Sequence, residues 1–247
     1  MSDDAAVVPI ASPPAAPSAW VGAALGLIAG CISWAAIQAV HPAFEVPKEY
    51  HIEAMGAPPE RVEALMNATA RTDRKNLTLY LGLCGALLAG LLASSGRSLR
   101  AIAIAAPLGL LLGGFTGWLG HFAYERLVAD AVQTDMTRIV AAQAILLAGL
   151  GLAGSAGWAI ARGRPAETPL YAVAGLAGGG LAGALYPVLM SVVLPDIDTS
   201  TLLPREATSR LMWLLLASGL IGLVMPLAAR RRPAAAPIPS ENDPIGP

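Results

Sequence analysis

The sequence predicts an all-α membrane protein whose six transmembrane helices form three hairpins of like orientation. Three observations carry this. The 247-residue chain is 55% hydrophobic and only 13% charged, where an ordinary soluble domain carries about a quarter charged residues. Its apolar residues fall into six runs long enough to cross a bilayer, which takes about 20 residues, and no run contains Asp, Glu, Lys or Arg. The connectors alternate between short basic ones and longer ones that hold most of the acids, so successive pairs of helices return to one side. The mean hydropathy of +0.59 is too high for a single water-facing core.

The spans fall at residues 20–40, 77–95, 101–122, 139–161, 170–194 and 211–229. Pro107, Pro187 and Pro226 lie inside them, which membrane helices tolerate because neighbours satisfy the freed carbonyls. Residues 1–19 and 230–247 are Ala/Pro-rich with scattered acids, and are expected to be disordered tails around a 20–229 transmembrane domain. The first 18 residues contain no Lys or Arg, so no secretory signal is expected. The first connector, 41–76, is expected to be partly helical. After the stop at Pro58-Pro59, residues 60–76 place Val62, Leu65, Met66 and Thr69 on one side, an amphipathic pattern that either runs into the second span or lies on the membrane surface. Asn67-Ala-Thr69 and Asn76-Leu-Thr78 match the glycosylation pattern, a three-residue match with no weight outside a secretory setting.

Orientation follows from the connectors. Residues 96–100 and 162–168 are short and mostly basic, and the last span ends in Arg230-Arg231-Arg232. The positive-inside rule places these and both termini in the cytoplasm, in a plasma (inner) membrane. Lys48, Arg71, Arg74, Lys75, Arg138 and Arg210 lie in the long connectors and weaken that asymmetry.

A five-residue glycine spacing recurs in the odd spans. It joins Gly26 to Gly30, Gly109 to Gly113 and Gly175 to Gly179, and continues to Gly117 and Gly183. Residues four apart share a helix face, and glycine there lets a second backbone come close. These stripes resemble glycine-zipper segments, a resemblance confined to the three odd spans and silent on function. The even spans echo one another at Gly82/Gly85, Gly151/Gly154 and Gly219/Gly222. Two readings stay open: a triplicated hairpin with pseudo-threefold symmetry, or chance echoes in Gly/Leu-rich segments.

Followed outward, the stripes reach polar and aromatic groups. The first leads to Trp34, Gln38 and His41, the third to His121 and Glu125 beside Trp118, and the fifth to Pro187 beside Tyr186. Gln38, His41, His121, Glu125 and Tyr186 are therefore the candidate lining of an outward-facing pocket. His121 and Glu125 stand four apart, so one helix face presents an imidazole with a carboxylate to orient it. The plainer alternative is an interfacial belt of amphipathic rings.

Other chemistry finds little support. Cys31 and Cys84 each sit in an apolar run and read as buried small hydrophobes. His41, His121 and Glu125 lack tight ligand spacing, so no metal is expected, nor any cofactor. No nucleophile, zinc-protease or phosphate-loop motif occurs, so no catalytic residue is expected. A net charge of −1 gives nucleic acid no foothold. The expected partners are the lipid bilayer and a protein partner or second copy of the chain. The first functional expectation is a non-catalytic structural, scaffold or partner-binding bundle packed by glycine stripes. A small passive transporter or channel comes second, and a membrane-embedded enzyme using the His121/Glu125 rim third. Deep polar side chains in the spans are neutral, namely Gln38, Thr116, Gln143 and serines, which disfavours ion-coupled transport.

Overall fold

The computed structural model describes residues 18–50, 58–96, 98–129, 135–163, 165–196 and 201–230. The expected tails, apart from their innermost residues, lie outside these, as do 51–57 and parts of the four other connectors. The described chain forms six long helices: α1 (Ala19–Val40), α2 (Pro59–Ser94), α3 (Leu99–Tyr124), α4 (Met136–Arg162), α5 (Thr168–Val193) and α6 (Ala207–Arg230). Each is long and apolar enough to cross a bilayer. This is an integral membrane protein.

Polar residues set the helix ends. The Ser18 and Ser98 hydroxyls accept from the Val21 and Ala101 N–H groups, and the Asp135 carboxylate accepts from Thr137 at 3.1 Å, each capping an otherwise orphaned donor. At the other end of α4, Gly163 takes φ 60°, and its N–H closes on Ala159 O and Ile160 O. A side chain there would strain the backbone. α2 starts at Pro59, where a missing N–H costs nothing. Its 36 residues make it about 54 Å long at about 1.5 Å per residue, well beyond the roughly 30 Å hydrocarbon core. The amphipathic segment and the second span are thus one continuous helix. α6 begins at Ala207 and not at 211, which brings Arg210 into its first turn. Hydropathy locates an apolar stretch but misses the polar turn that opens it.

Three helices are central and three peripheral. Leu81, Cys84, Leu88 and Leu92 of α2, Leu146, Leu150 and Ala153 of α4, and Leu214, Ala217, Ile221 and Met225 of α6 are fully buried. Leu27 and Ile32 of α1, Leu111 and Phe115 of α3, and Val173 and Leu181 of α5 are exposed. All these side chains are apolar, so hydropathy cannot separate the lipid face from the packed face. Close backbone approach does.

Each peripheral helix lies against one central helix through a three-rung glycine ladder. Gly109, Gly113 and Gly117 of α3 rest on the backbone of Gly85, Leu81 and Leu77 of α2. Gly175, Gly179 and Gly183 of α5 rest likewise on Gly151, Leu147 and Gln143 of α4, and Gly22, Gly26 and Gly30 of α1 on Gly222, Ser218 and Leu214 of α6. A Cβ at eight of the nine would run into a carbonyl, 2.7 Å from Leu77 O at Gly117, and at Gly30 it would press on Leu214 O at 3.0 Å. The tight pairs are therefore α2–α3 and α4–α5, joined by short connectors, and the two terminal helices α1 and α6. They are not the pairs joined by the long connectors. Gly22, not Gly26, stands level with Gly109 and Gly175, and Gly85, not Gly82, stands level with Gly151.

The centre is dry. A Cβ on Gly154 of α4 would meet Ile221 Cγ2 of α6 at 2.8 Å and Leu88 Cδ2 of α2 at 3.1 Å, so the three central helices close on one another in an apolar plug. Among the described residues, the polar side chains buried between the two ends of the bundle are Ser33, Ser155 and Ser218.

Candidate ligand cavity

The end of the bundle that carries the long connectors is built differently. Residues 41–46 and 201–205 of two of these connectors fold back over the helices, and their backbone donors and acceptors need partners away from water. Side chains from the middle of α2 and the start of α4 supply them. Asn76 of α2, 4% exposed, takes hold of Phe44 through both backbone groups: its Nδ2 donates to Phe44 O at 3.0 Å and its Oδ1 accepts from Phe44 N–H at 2.9 Å. One turn deeper, Tyr80 Oη accepts from Ala43 N–H at 3.1 Å and lies 2.9 Å from His41 Nδ1. The α5–α6 connector is held the same way. Gln143 Nε2 of α4 donates to Leu202 O at 3.0 Å and Thr201 O at 3.3 Å, while its Oε1 accepts from Trp213 Nε1 at 3.0 Å.

Arg210 ties the two connectors together. Its Nη2 donates to Gln38 Oε1 at 2.7 Å, and its Nη1 hydrogens are shared among His41 Nε2 at 2.8 Å, Arg205 O at 2.9 Å and Pro204 O at 3.2 Å. Arginine only donates, so His41 Nε2 accepts and the ring proton sits on Nδ1, facing Tyr80. The imidazole is thereby held neutral. Burial, and then the Arg210 charge, push the His41 pKa below its usual value.

Arg210 is an unusual group to bury. It is 4% exposed, no carboxylate pairs with it among the described residues, and its Nε has no partner. It also sits in the first turn of α6, the end where the helix dipole disfavours a cation. Its acceptors are neutral carbonyls, an amide and an imidazole. A buried charge held this way compensates its desolvation only through well-made hydrogen bonds.

Between the two clamped connectors lies a cavity of about 500 Å³. His41 to Val46 form one wall and Thr201 to Arg205 the other, without residue 43. Thr72, Asp73, Asn76 and Leu77 of α2 form the floor, with His121 and Tyr124 of α3 beside them. His121 is buried, and its Nε2 lies 3.1 Å from Glu125 Oε1. Around the rim, Arg74 lies over the Phe122 ring at 5.3 Å and Lys75 over the Phe44 ring at 5.9 Å, both cation–π distances.

The structure brings His41 and His121 to one cavity. Gln38 stands one hydrogen bond behind it on Arg210, and Glu125 reaches it only through His121. Tyr186 is elsewhere: its Oη bonds Ser209 Oγ at 2.6 Å, and its ring borders an apolar groove of about 370 Å³ with Leu189, Met190 and Met212. The tryptophans divide between two roles. Trp118 is exposed and packs with Phe115 and Phe122 on the lipid-facing side, whereas Trp34 Nε1 donates to Ala207 O at 2.9 Å and joins α1 to α6. Among the described residues, no three His, Cys, Asp or Glu side chains come close enough to share a metal ion.

Sequence reasoning missed Arg210, Asp73, Asn76 and Tyr80. The last three had a signal, since spacings of three and four residues put them on one face of α2 where the apolar run begins. Arg210 had none, because a cation at the edge of a connector reads as solvated. These features define a six-span integral membrane protein with a cavity of mixed polar and apolar lining at one end. No family model matches the chain, and no curated protein or solved structure matches it.

Proposed function

We propose that this protein is a non-catalytic, partner-binding membrane bundle that receives a small polar ligand, or the polar end of a partner, in the cavity between His41 and His121. One observation carries the reading: a cavity with hydrogen-bonded walls stands over an apolar plug. Walls pinned by Asn76, Tyr80, Gln143 and Arg210 are already ordered, so an occupant loses little affinity to ordering them. A mixed polar and apolar concavity of this size suits a small ligand. The basic short connectors favour a cavity on the non-cytoplasmic face. The three matching glycine ladders favour descent from one helix pair repeated three times, with α1 and α6 completing the third pair.

The other readings have less behind them. A passive conduit needs polar groups through the depth of the bilayer, and Leu88, Gly154 and Ile221 meet there instead. An enzyme using the His121/Glu125 rim has an imidazole held by a carboxylate, but its second histidine, His41, has both ring nitrogens engaged by Tyr80 and Arg210. Proteoliposomes test the choice. Potassium, chloride and glycerol should permeate vesicles holding the full chain no faster than protein-free vesicles. Protein-dependent flux of any of the three would overturn the non-conducting reading.

A further inference from the structure

We propose that the His41–Arg210 hydrogen bond is an acid-sensitive latch that holds the two walls of the cavity together. The cavity's use as a ligand site rests on the function proposed above, but the latch is a property of the geometry. Arg210 is the direct link between the walls: it grips the 201–205 wall at Pro204 O and Arg205 O, and the 41–46 wall at His41 Nε2. That grip exists only while Nε2 offers a lone pair. A proton on Nε2 puts a donor against a donor at 2.8 Å and a cation against a cation. The contact must then open.

The surroundings leave little to offset that proton. Asn76 of α2 lines the same cavity as His41, Tyr80 of α2 bonds His41 directly, and Gln38 of α1 shares Arg210 with it. Arg210 faces it from α6, and Arg205 from the connector before α6. Asp73 of α2, His121 of α3 and Glu45 of the same loop share the cavity, with Glu125 behind His121, yet no carboxylate pairs with His41 among the described residues. His121 differs, because Glu125 lies ready to receive its charge and no bridge between walls depends on it. Once the latch opens, each wall keeps its own anchors: Asn76 and Tyr80 for the first, Gln143 for the second. The walls part at the His41 corner without unfolding.

The sign is fixed by His41 being held neutral. Its folded-state pKa is lowered from 6.5, so the latch contributes fully above 6.5 and is lost as pH falls through the lower folded-state value. Spin labels at Glu45→Cys and Arg205→Cys, in the full chain with Cys31→Ala and Cys84→Ala, read the gap between the walls. The inter-label distance should lengthen and its distribution broaden between about pH 7.5 and about pH 5. His41→Gln keeps an acceptor for Arg210 and carries no titrating group, so its distances should not move with pH, while His121→Gln should respond as the parent does. An unchanged distance in the parent, or a response that survives His41→Gln, overturns the latch. A second measurement uses no variant. Nitrogen-15 histidine spectra at neutral pH should place the His41 proton on Nδ1, and a proton on Nε2 would refute the proposal. Neither measurement depends on a ligand, whereas the flux test bears only on the function.

Discussion

Replacing Gly179 with alanine is expected to disrupt the α4–α5 pair, while the same change at Gly180, one residue further on, leaves the protein folded. A Cβ at Gly179 runs into Leu147 O, a backbone atom that cannot swing aside, and next meets Leu147 C at 2.7 Å. At Gly180 the nearest atom is Ala148 Cβ at 3.8 Å, an ordinary contact. Overpacking costs about 1–3 kcal/mol even where side chains can yield, and here two helices must separate along their seam. Alanine in place of glycine otherwise favours a helix by up to about 1 kcal/mol, so the change at Gly180 should be neutral or stabilising. Gly113 and Gly114 of α3 provide an independent pair, with Gly113 against Leu81 O and Gly114 3.6 Å from Thr78 O. Thermal unfolding of the purified protein reads both. Equal effects within each pair would mean that the ladders do not set helix packing.

The second large effect is expected at Arg210. Arg210→Met removes the donors for Gln38 Oε1, His41 Nε2, Pro204 O and Arg205 O in one step. A buried acceptor left without a partner costs about 1–3 kcal/mol. Loss of an unpaired buried charge returns part of that, but methionine offers the four acceptors nothing. Only the Pro204 O bond is fully buried, and water can reach the other three acceptors, so the balance is a loss of about 1–3 kcal/mol, with faster proteolysis of the 201–206 segment. Lysine should fall between, because a compact ammonium cannot span Gln38 on one side and the two carbonyls on the other. A methionine variant as stable as the parent would show that charge burial outweighs the hydrogen bonds.

Much of the architecture was legible because hydrocarbon imposes strong rules. Six charge-free runs of spanning length have few other readings, and glycines four apart mark where backbones touch. The partner of each ladder was not legible. Gly26 and Gly30 identify the face of α1 that packs, but nothing local says that it packs on α6, at the far end of the chain, and not on α2. The short connectors at 95–98 and 163–167 hold their helices as close pairs, and the terminal pair takes the position that remains. The cavity was half legible. Steps of four along the stripes reached Gln38 and His121, with His41 one turn past Gln38, since a straight helix carries its face to its end. They also pointed to Tyr186, which the position of α5 turns toward Ser209. Arg210 stayed hidden because its burial depends on two connectors folding over it, an arrangement that no single helix pattern encodes.

Site-directed labelling tests the central claim, a wet cavity that ends on a dry plug. In a background with Cys31→Ala and Cys84→Ala, Asp73→Cys lies in the cavity floor and Leu88→Cys lies where the three central helices meet. A membrane-impermeant maleimide added to the side of the long connectors should modify Asp73→Cys readily and leave Leu88→Cys untouched from either side. Modification of Leu88→Cys from water, or protection of Asp73→Cys in the folded protein, would contradict the account.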